Sequence, residues 1–220
     1  NQGCVWAITV VVVILSSGFD NSGILAYAMA LGNIYGPIAT YNMRTIQVSD
    51  VRNELSASTY VGFRILTVVI AYLVLVAYLF ITTSSPSLII ATLCWLLYKA
   101  DEAFVIVYYG IYQKAMRMDY LGVSQIIRGI ITLGAFSFIL FLQSNVDAAI
   151  IGVSAACVLV TVFYDHRHAR CLADVRPSLN VRLSLELLRK YFPAVLAIFF
   201  YAAVTSGARQ IFESSYGEGA

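Results

Sequence analysis

Charge is what this sequence has least of. Asp, Glu, Lys and Arg make up only 12% of its 220 residues, where a soluble globular domain carries about 25%. Cysteine is sparse as well. Cys4, Cys94 and Cys157 fall in apolar segments and Cys171 in a basic one, so no disulfide framework is expected. His166 and His168 lie near Cys171, but a zinc site of the usual kind needs four ligands with matching spacing, and no second pair is present. No metal and no cofactor are therefore expected. A nucleotide-binding glycine loop, a G-x-S-x-G elbow and an H-E-x-x-H helix are all missing. Nothing supports ATP-driven pumping within the chain, no catalytic residue stands out, and it is not read as an enzyme.

Apolar residues fill the space that charge leaves. They make up 60% of the chain, and the mean hydropathy is +0.80. A soluble globule of this size could not hide so much apolar surface, whereas a bilayer accepts it. A spanning helix needs roughly 20 mostly apolar residues. Seven stretches meet or approach that: 2–17, 24–42, 60–81, 88–112, 120–142, 148–164 and 192–207. They are continuously apolar, without the alternation of barrel strands, so the fold class is all-α and polytopic. The chain enters its first apolar run within three residues of Asn1, without a basic leader of a signal peptide. A fragment is expected, lacking a short N-terminus and a large C-terminal part.

The loops orient the bundle. With the N-terminus cytoplasmic, loops 18–23, 82–87 and 143–147 are external and hold no Lys or Arg. The opposite set holds ten cations: Arg44, Arg52, Lys114, Arg117, Arg167, Arg170, Arg176, Arg182, Arg189 and Lys190. Positive charge is retained on the cytoplasmic side. Short external turns pair the first six spans as hairpins. Residues 1–164 then form a six-helix lobe, 165–190 a basic cytoplasmic connector, and 191–220 a seventh helix that opens a second lobe. Within the connector, 181–188 is apolar enough to lie along the membrane surface, and its arginines suit anionic lipid headgroups.

Four cations remain inside apolar runs: Arg64, Lys99, Arg128 and Arg209. Intramembrane ionisable residues are functional candidates by default. Lys99 lies about midway along the fourth span and shares a helix face with Glu102, three residues on, while Asp101 points elsewhere. Two readings stand side by side: an ion pair that neutralises itself, or a cation lining a polar cavity that meets an anion. Arg128 lies deeper in the fifth span and is read either as snorkelling or as a cavity group. Arg64 and Arg209 are read chiefly as a snorkelling residue and an interfacial anchor. Cations turned inward suit an anionic substrate, since guanidinium matches phosphate oxygens and a lysine acts as a point charge. In the second span, Gly32 and Gly36 make a small-xxx-small face, and Gly36-Pro37 is a candidate kink.

Several of these residues are similar to a known family. Lys99-Ala100-Asp101-Glu102, Tyr109-Gly110, Gln113-Lys114, Arg117-Met118-Asp119, Ser124 and Arg128-Gly129 resemble the polysaccharide and O-antigen flippases. Those belong to the superfamily that also holds multidrug extruders. Tyr27-Ala28-Met29-Ala30, Pro37-Ile38, Arg44 with Asp50, Tyr60 with Arg64, and the run from Glu213 to Ala220 resemble them too. The resemblance implies two six-helix lobes around a central cavity, alternating access, and transfer of undecaprenyl-diphosphate-linked oligosaccharides across the inner membrane. It implies that Lys99 and Arg128 stand at basic positions that meet the substrate and Glu102 at an acidic one. Arg64 is a further cationic cavity candidate, Asp101 a further ion-pair or coupling candidate, and polysaccharide polymerase machinery a candidate partner. One departure is Ile106, which stands where a second acidic residue is expected four positions after Glu102. Two other classes remain open: a drug–cation antiporter, which favours carboxylates over cations, and a membrane-embedded saccharide polymerase or glycosyltransferase, which calls for a large polar external loop. Nucleic acid is not expected as a partner.

Overall fold

A computed structural model describes residues 2–15, 19–82, 85–143 and 145–216, whose regular elements are all helical, with no strand among them. The side chain of Arg209, the loop residues 16–18, 83–84 and 144, and the end of the chain from 217 lie outside the described set. The helices are α1 (Gln2–Leu15), α2 (Phe19–Thr40), α3 (Met43–Ser49), α4 (Ala57–Thr82), α5 (Pro86–Lys114), α6 (Met118–Gln143), α7 (Val146–Val160), α8 (His166–Leu172) and α9 (Val181–Tyr216). A π-helical turn, Thr161–Asp165, joins α7 to α8 without a break.

Among the described residues, the long apolar stretches fall in helices, apart from the turn at Tyr41 and Asn42, and local signals set several ends. Pro86 opens α5 at a position where its missing N–H costs nothing. Asn145 caps α7 by accepting from the Ala148 amide. α2 stops where Tyr41 and Asn42 take left-handed backbone angles, φ 47° and 49°. Three helices among the described residues are long and apolar enough to cross a membrane: Ala57–Thr82, Met118–Gln143 and the continuous Val146–Leu172. The chain is a helical membrane protein. Its outward faces agree, since α4 turns out Leu73, Phe80 and Ile81 and α6 turns out Ile126, Ile130 and Phe141, all more than half exposed. On a water-soluble helix those faces would be polar.

α5 is the central element, lying against α2, α4, α6, α7 and α3. Three clusters surround it. One joins α1, α2, α5, α6 and α7 around Trp95 and Phe136. A second joins α4, α5 and α9 with the α3 segment around Tyr60, Tyr109 and Tyr112. The third joins α2, α4 and α5 around Tyr35 and Leu96. Gly32 belongs to the close packing, because a Cβ there would lie 2.7 Å from the Trp95 ring nitrogen. Gly36 does not, since a Cβ there would meet nothing within 4 Å. Its place before Pro37 gives it another use. It lacks the Cβ that the proline ring would strike in helical backbone, and α2 runs through Pro37 to Thr40.

Two segments differ from the sequence expectation. The last helix before the connector does not end at 164, because the π turn carries it on to Leu172. Residues 181–188, expected along the membrane surface, are the first turns of the single helix α9 that continues past Pro193. The non-helical connector is therefore only 173–180. It is strapped to the start of α4, where the Ser178 amide donates to the Ser58 carbonyl at 3.1 Å and the Ser58 hydroxyl to Asp174 O at 3.0 Å.

Candidate functional site

Lys99 and Glu102 form the expected pair. Lys99 Nζ lies 2.7 Å from Glu102 Oε2, and both side chains keep partial exposure, 17% and 26%. The ammonium also stands over two rings of its own helix, 5.8 Å from the Trp95 centroid and 5.7 Å from that of Tyr98. Desolvated cation–π contacts of this kind hold a cation in a low-dielectric setting. Gly32 on α2 provides the room, as a Cβ there would also touch Lys99 Cγ at 3.2 Å. The pair thus keeps partial exposure beside two aromatic rings.

Asp101 points away from that pair, as its spacing predicts, and its partner lies on another helix. Arg128 of α6 donates Nη1 to Asp101 Oδ2 at 2.7 Å. Its Nη2 reaches the Thr161 hydroxyl and, at 3.3 Å, Asp165 Oδ2. Thr161 in turn donates to Asp101 Oδ1 at 2.6 Å. Asp101 is thereby satisfied at both oxygens. Arg128 is 2% exposed and Asp165 0%, so the cluster is sealed inside the bundle and Arg128 does not snorkel. Around it, Tyr109 and Ser124 share a hydrogen bond of 2.9 Å, Tyr112 donates to the Asp165 carbonyl at 2.7 Å, and Tyr108 bonds to His166 Nδ1 at 2.9 Å.

Asp165 is the residue that sequence reasoning missed. It stands one position beyond the sixth expected span, 148–164, and reads as the first charge of a basic loop. The π turn explains its burial. In a regular α-helix, positions four apart drift by about 40° per step. Cys157, Thr161, Asp165 and Ala169 are nevertheless all buried, because the wider turn holds them on one face. That four-residue spacing of small and polar residues was the available signal. π bulges of this kind are frequent at functional sites.

Arg64 is also placed differently from its expectation. It is 1% exposed rather than snorkelling, and Nη1 donates to the Ala39 carbonyl at 2.8 Å, beside a second donor, Thr67 Oγ1, also at 2.8 Å. Ala39 lies in the last turn of α2, where carbonyls lack helical partners and a cation is favoured. Arg64 therefore ties α2 to α4 and is not available to a substrate in this conformation. At the end of α5, α3 docks through Gln47 Nε2 to Val107 O at 3.2 Å and Arg44 to Gln113 at 3.0 Å. Asp50 closes the loop after α3. It accepts from the amides of Glu54 and Leu55 and from the Tyr60 hydroxyl, with Lys114 on its own carbonyl. Partial burial pushes its carboxyl up, but these donors and the Lys114 charge outweigh that and hold it below the ordinary carboxylate value.

No group of three or more His, Cys, Asp or Glu side chains suited to a metal ion occurs among the described residues. Comparison of the chain with protein-family models, with curated proteins and with solved structures gave no match.

Proposed function

We propose that the chain forms one lobe of an inner-membrane carrier, a flippase that moves undecaprenyl-diphosphate-linked, anionic oligosaccharide to the outer leaflet. The observation that carries this reading is Lys99, a partly exposed cation near the middle of the central helix, backed by Glu102 and seated on Trp95 and Tyr98. A partly exposed cation steadied by a carboxylate and two rings is suited to meeting a diphosphate or acidic sugar. Aromatic faces beside it suit the apolar faces of sugar rings. Arg64 and Arg128 are engaged inside the protein, so Lys99 takes the substrate-contact role for which the sequence offered three cations.

In this reading α1, α2, α4, α5, α6 and α7 are the six spans of the lobe. α5 crosses despite its charges because Lys99 is paired with Glu102 and Asp101 with Arg128. α9 starts the second lobe, the N-terminus is cytoplasmic, and transport proceeds by rocking of one lobe on the other. The basic residues from Arg167 to Lys190 then meet anionic lipids at the cytoplasmic face.

The test uses the full-length protein in cells. Lys99→Ala at normal expression is expected to abolish surface polysaccharide and to accumulate lipid-linked precursor, while Lys99→Arg retains transport. A silent Lys99→Ala would assign Lys99 to structure and remove the basis of the reading. A drug–cation antiporter would instead show resistance phenotypes tied to the carboxylates, with no change in precursor.

A further inference from the structure

The cluster of Arg128, Asp101 and Asp165 carries an unbalanced charge. From α5 it is faced by Asp101 and the hydroxyls of Tyr108, Tyr109 and Tyr112. From α6 it is faced by Arg128 and Ser124, and from α7 by Cys157. The π turn adds Thr161, Asp165 and the neighbouring Tyr164. Tyrosine, serine, threonine and cysteine side chains are neutral at neutral pH, which leaves, among the described residues, one guanidinium against two carboxyl groups. His166 follows Asp165 in the chain but is turned to Tyr108. Burying an unpaired charge is strongly unfavourable, and a group in that position neutralises itself.

The two carboxyls are not equivalent. Asp101 accepts at 2.7 and 2.6 Å on its two oxygens, as an ionised carboxylate does. Asp165 meets Arg128 only at 3.3 Å, and its Oδ1 accepts no hydrogen bond although it is wholly buried. The nearby Ser124 hydroxyl shares its hydrogen bond with Tyr109 and can turn its proton to Asp165 when Tyr109 is the donor, but Oδ1 itself accepts none. An oxygen left so is where a proton adds at least cost.

The geometry points to a proton-binding site inside the bundle, with Asp101 ionised against Arg128 and Asp165 holding one proton at neutral pH. The step is a simple addition: a hydronium ion outside gives up a proton and becomes water, the Asp165 carboxylate gains that proton, and no bond to carbon changes. Loss of that proton leaves a net negative charge under α8, which only water or separation of the π turn from α6 can relieve. Proton release is thus tied to opening at that turn. The site stands on the helix packing alone and is independent of what the protein carries.

The stoichiometry makes the inference testable in purified full-length protein by infrared spectroscopy of protonated carboxylic acids. At neutral pH the wild type is expected to show one acid that disappears in Asp165→Asn. Asp101→Asn should lose it as well, since one carboxylate then matches one guanidinium. Arg128→Gln should show one acid more than the wild type. Circular dichroism and size-exclusion chromatography check folding, and if Arg128→Gln fails to fold, the two near-isosteric asparagine variants and the wild-type pH titration decide. A wild type lacking any acid that Asp165→Asn removes would overturn the inference, whether His166 or a bound cation supplies the balance. So would an acid signal abolished by sodium at constant pH, because the site would then take a metal cation. These outcomes do not depend on the polysaccharide readout, so the two proposals fail separately.

Discussion

Arg128 bonds to side chains on two other elements, so removing it leaves carboxyl groups buried without a counter-charge. Breaking a buried pair in this way costs about 3–5 kcal/mol. Arg128→Met is therefore expected to lower stability by that order at neutral pH, read by thermal unfolding in detergent. The deficit should shrink as the pH falls towards the ordinary carboxylate range, because protonating the buried carboxyls then costs less. A variant as stable as the wild type at neutral pH would show that the guanidinium is not holding these helices together. At this scale the sequence was legible where spacing on a regular helix decides the matter. Lys99 and Glu102 meet at i, i+3, and Asp101 faces away. It was not legible for Asp165, because a single π turn changes which side of the helix a residue faces, and no residue type announces such a turn. Arg64 was misplaced for a related reason: its depth could be counted, but its acceptor is a backbone carbonyl on α2, 25 positions earlier in the chain.

At the scale of elements, the connector strap and the α3 dock are the contacts most open to test. A Cβ at Gly62 would collide with the Ser178 carbonyl oxygen, and backbone cannot move aside cheaply. Gly62→Ala is expected to cost about 1–3 kcal/mol, as overpacking does, and to speed protease cleavage within 173–180. Gly134→Ala on α6, where a Cβ meets nothing within 4 Å, is the tolerated control. The loop after α3 should respond to acid. Asp50 is held below its ordinary value of 3.8, so its contribution is fully present above that value and is lost as pH falls through the lower, folded one. Protease sensitivity of residues 51–56 should rise in that acidic window. Asp50→Asn should be sensitive already at neutral pH and lose the pH dependence. The long helices were legible because apolar runs of this length have few other solutions in a bilayer. α3 was not, since seven residues carry too little periodicity. Nor was the fusion of 181–188 with the last helix, because basic residues before Pro193 read as a break that α9 does not make.

For the whole molecule, outward-facing apolar side chains on α4, α6 and α7 require a lipid surround. In the proposed topology the cations outside the spans, gathered in α3 and the loop after it, at the end of α5 and in the segment 165–190, mark the cytoplasmic face. The protein should remain with membranes through an alkaline carbonate wash and need detergent for release. One measurement tests the central claim, a helical bundle crossing the inner membrane with its basic segments inside, more directly than any other. Cys171 is exposed on α8, while Cys94 and Cys157 are buried, and Ser87 is exposed at the opposite end of α5. In cells, with Cys4 replaced by serine, a membrane-impermeant thiol reagent should label a Ser87→Cys protein that lacks Cys171, and should leave Cys171 itself untouched until the membrane is opened. Labelling of Cys171 from outside intact cells, or protection of the thiol introduced by Ser87→Cys, would contradict the account.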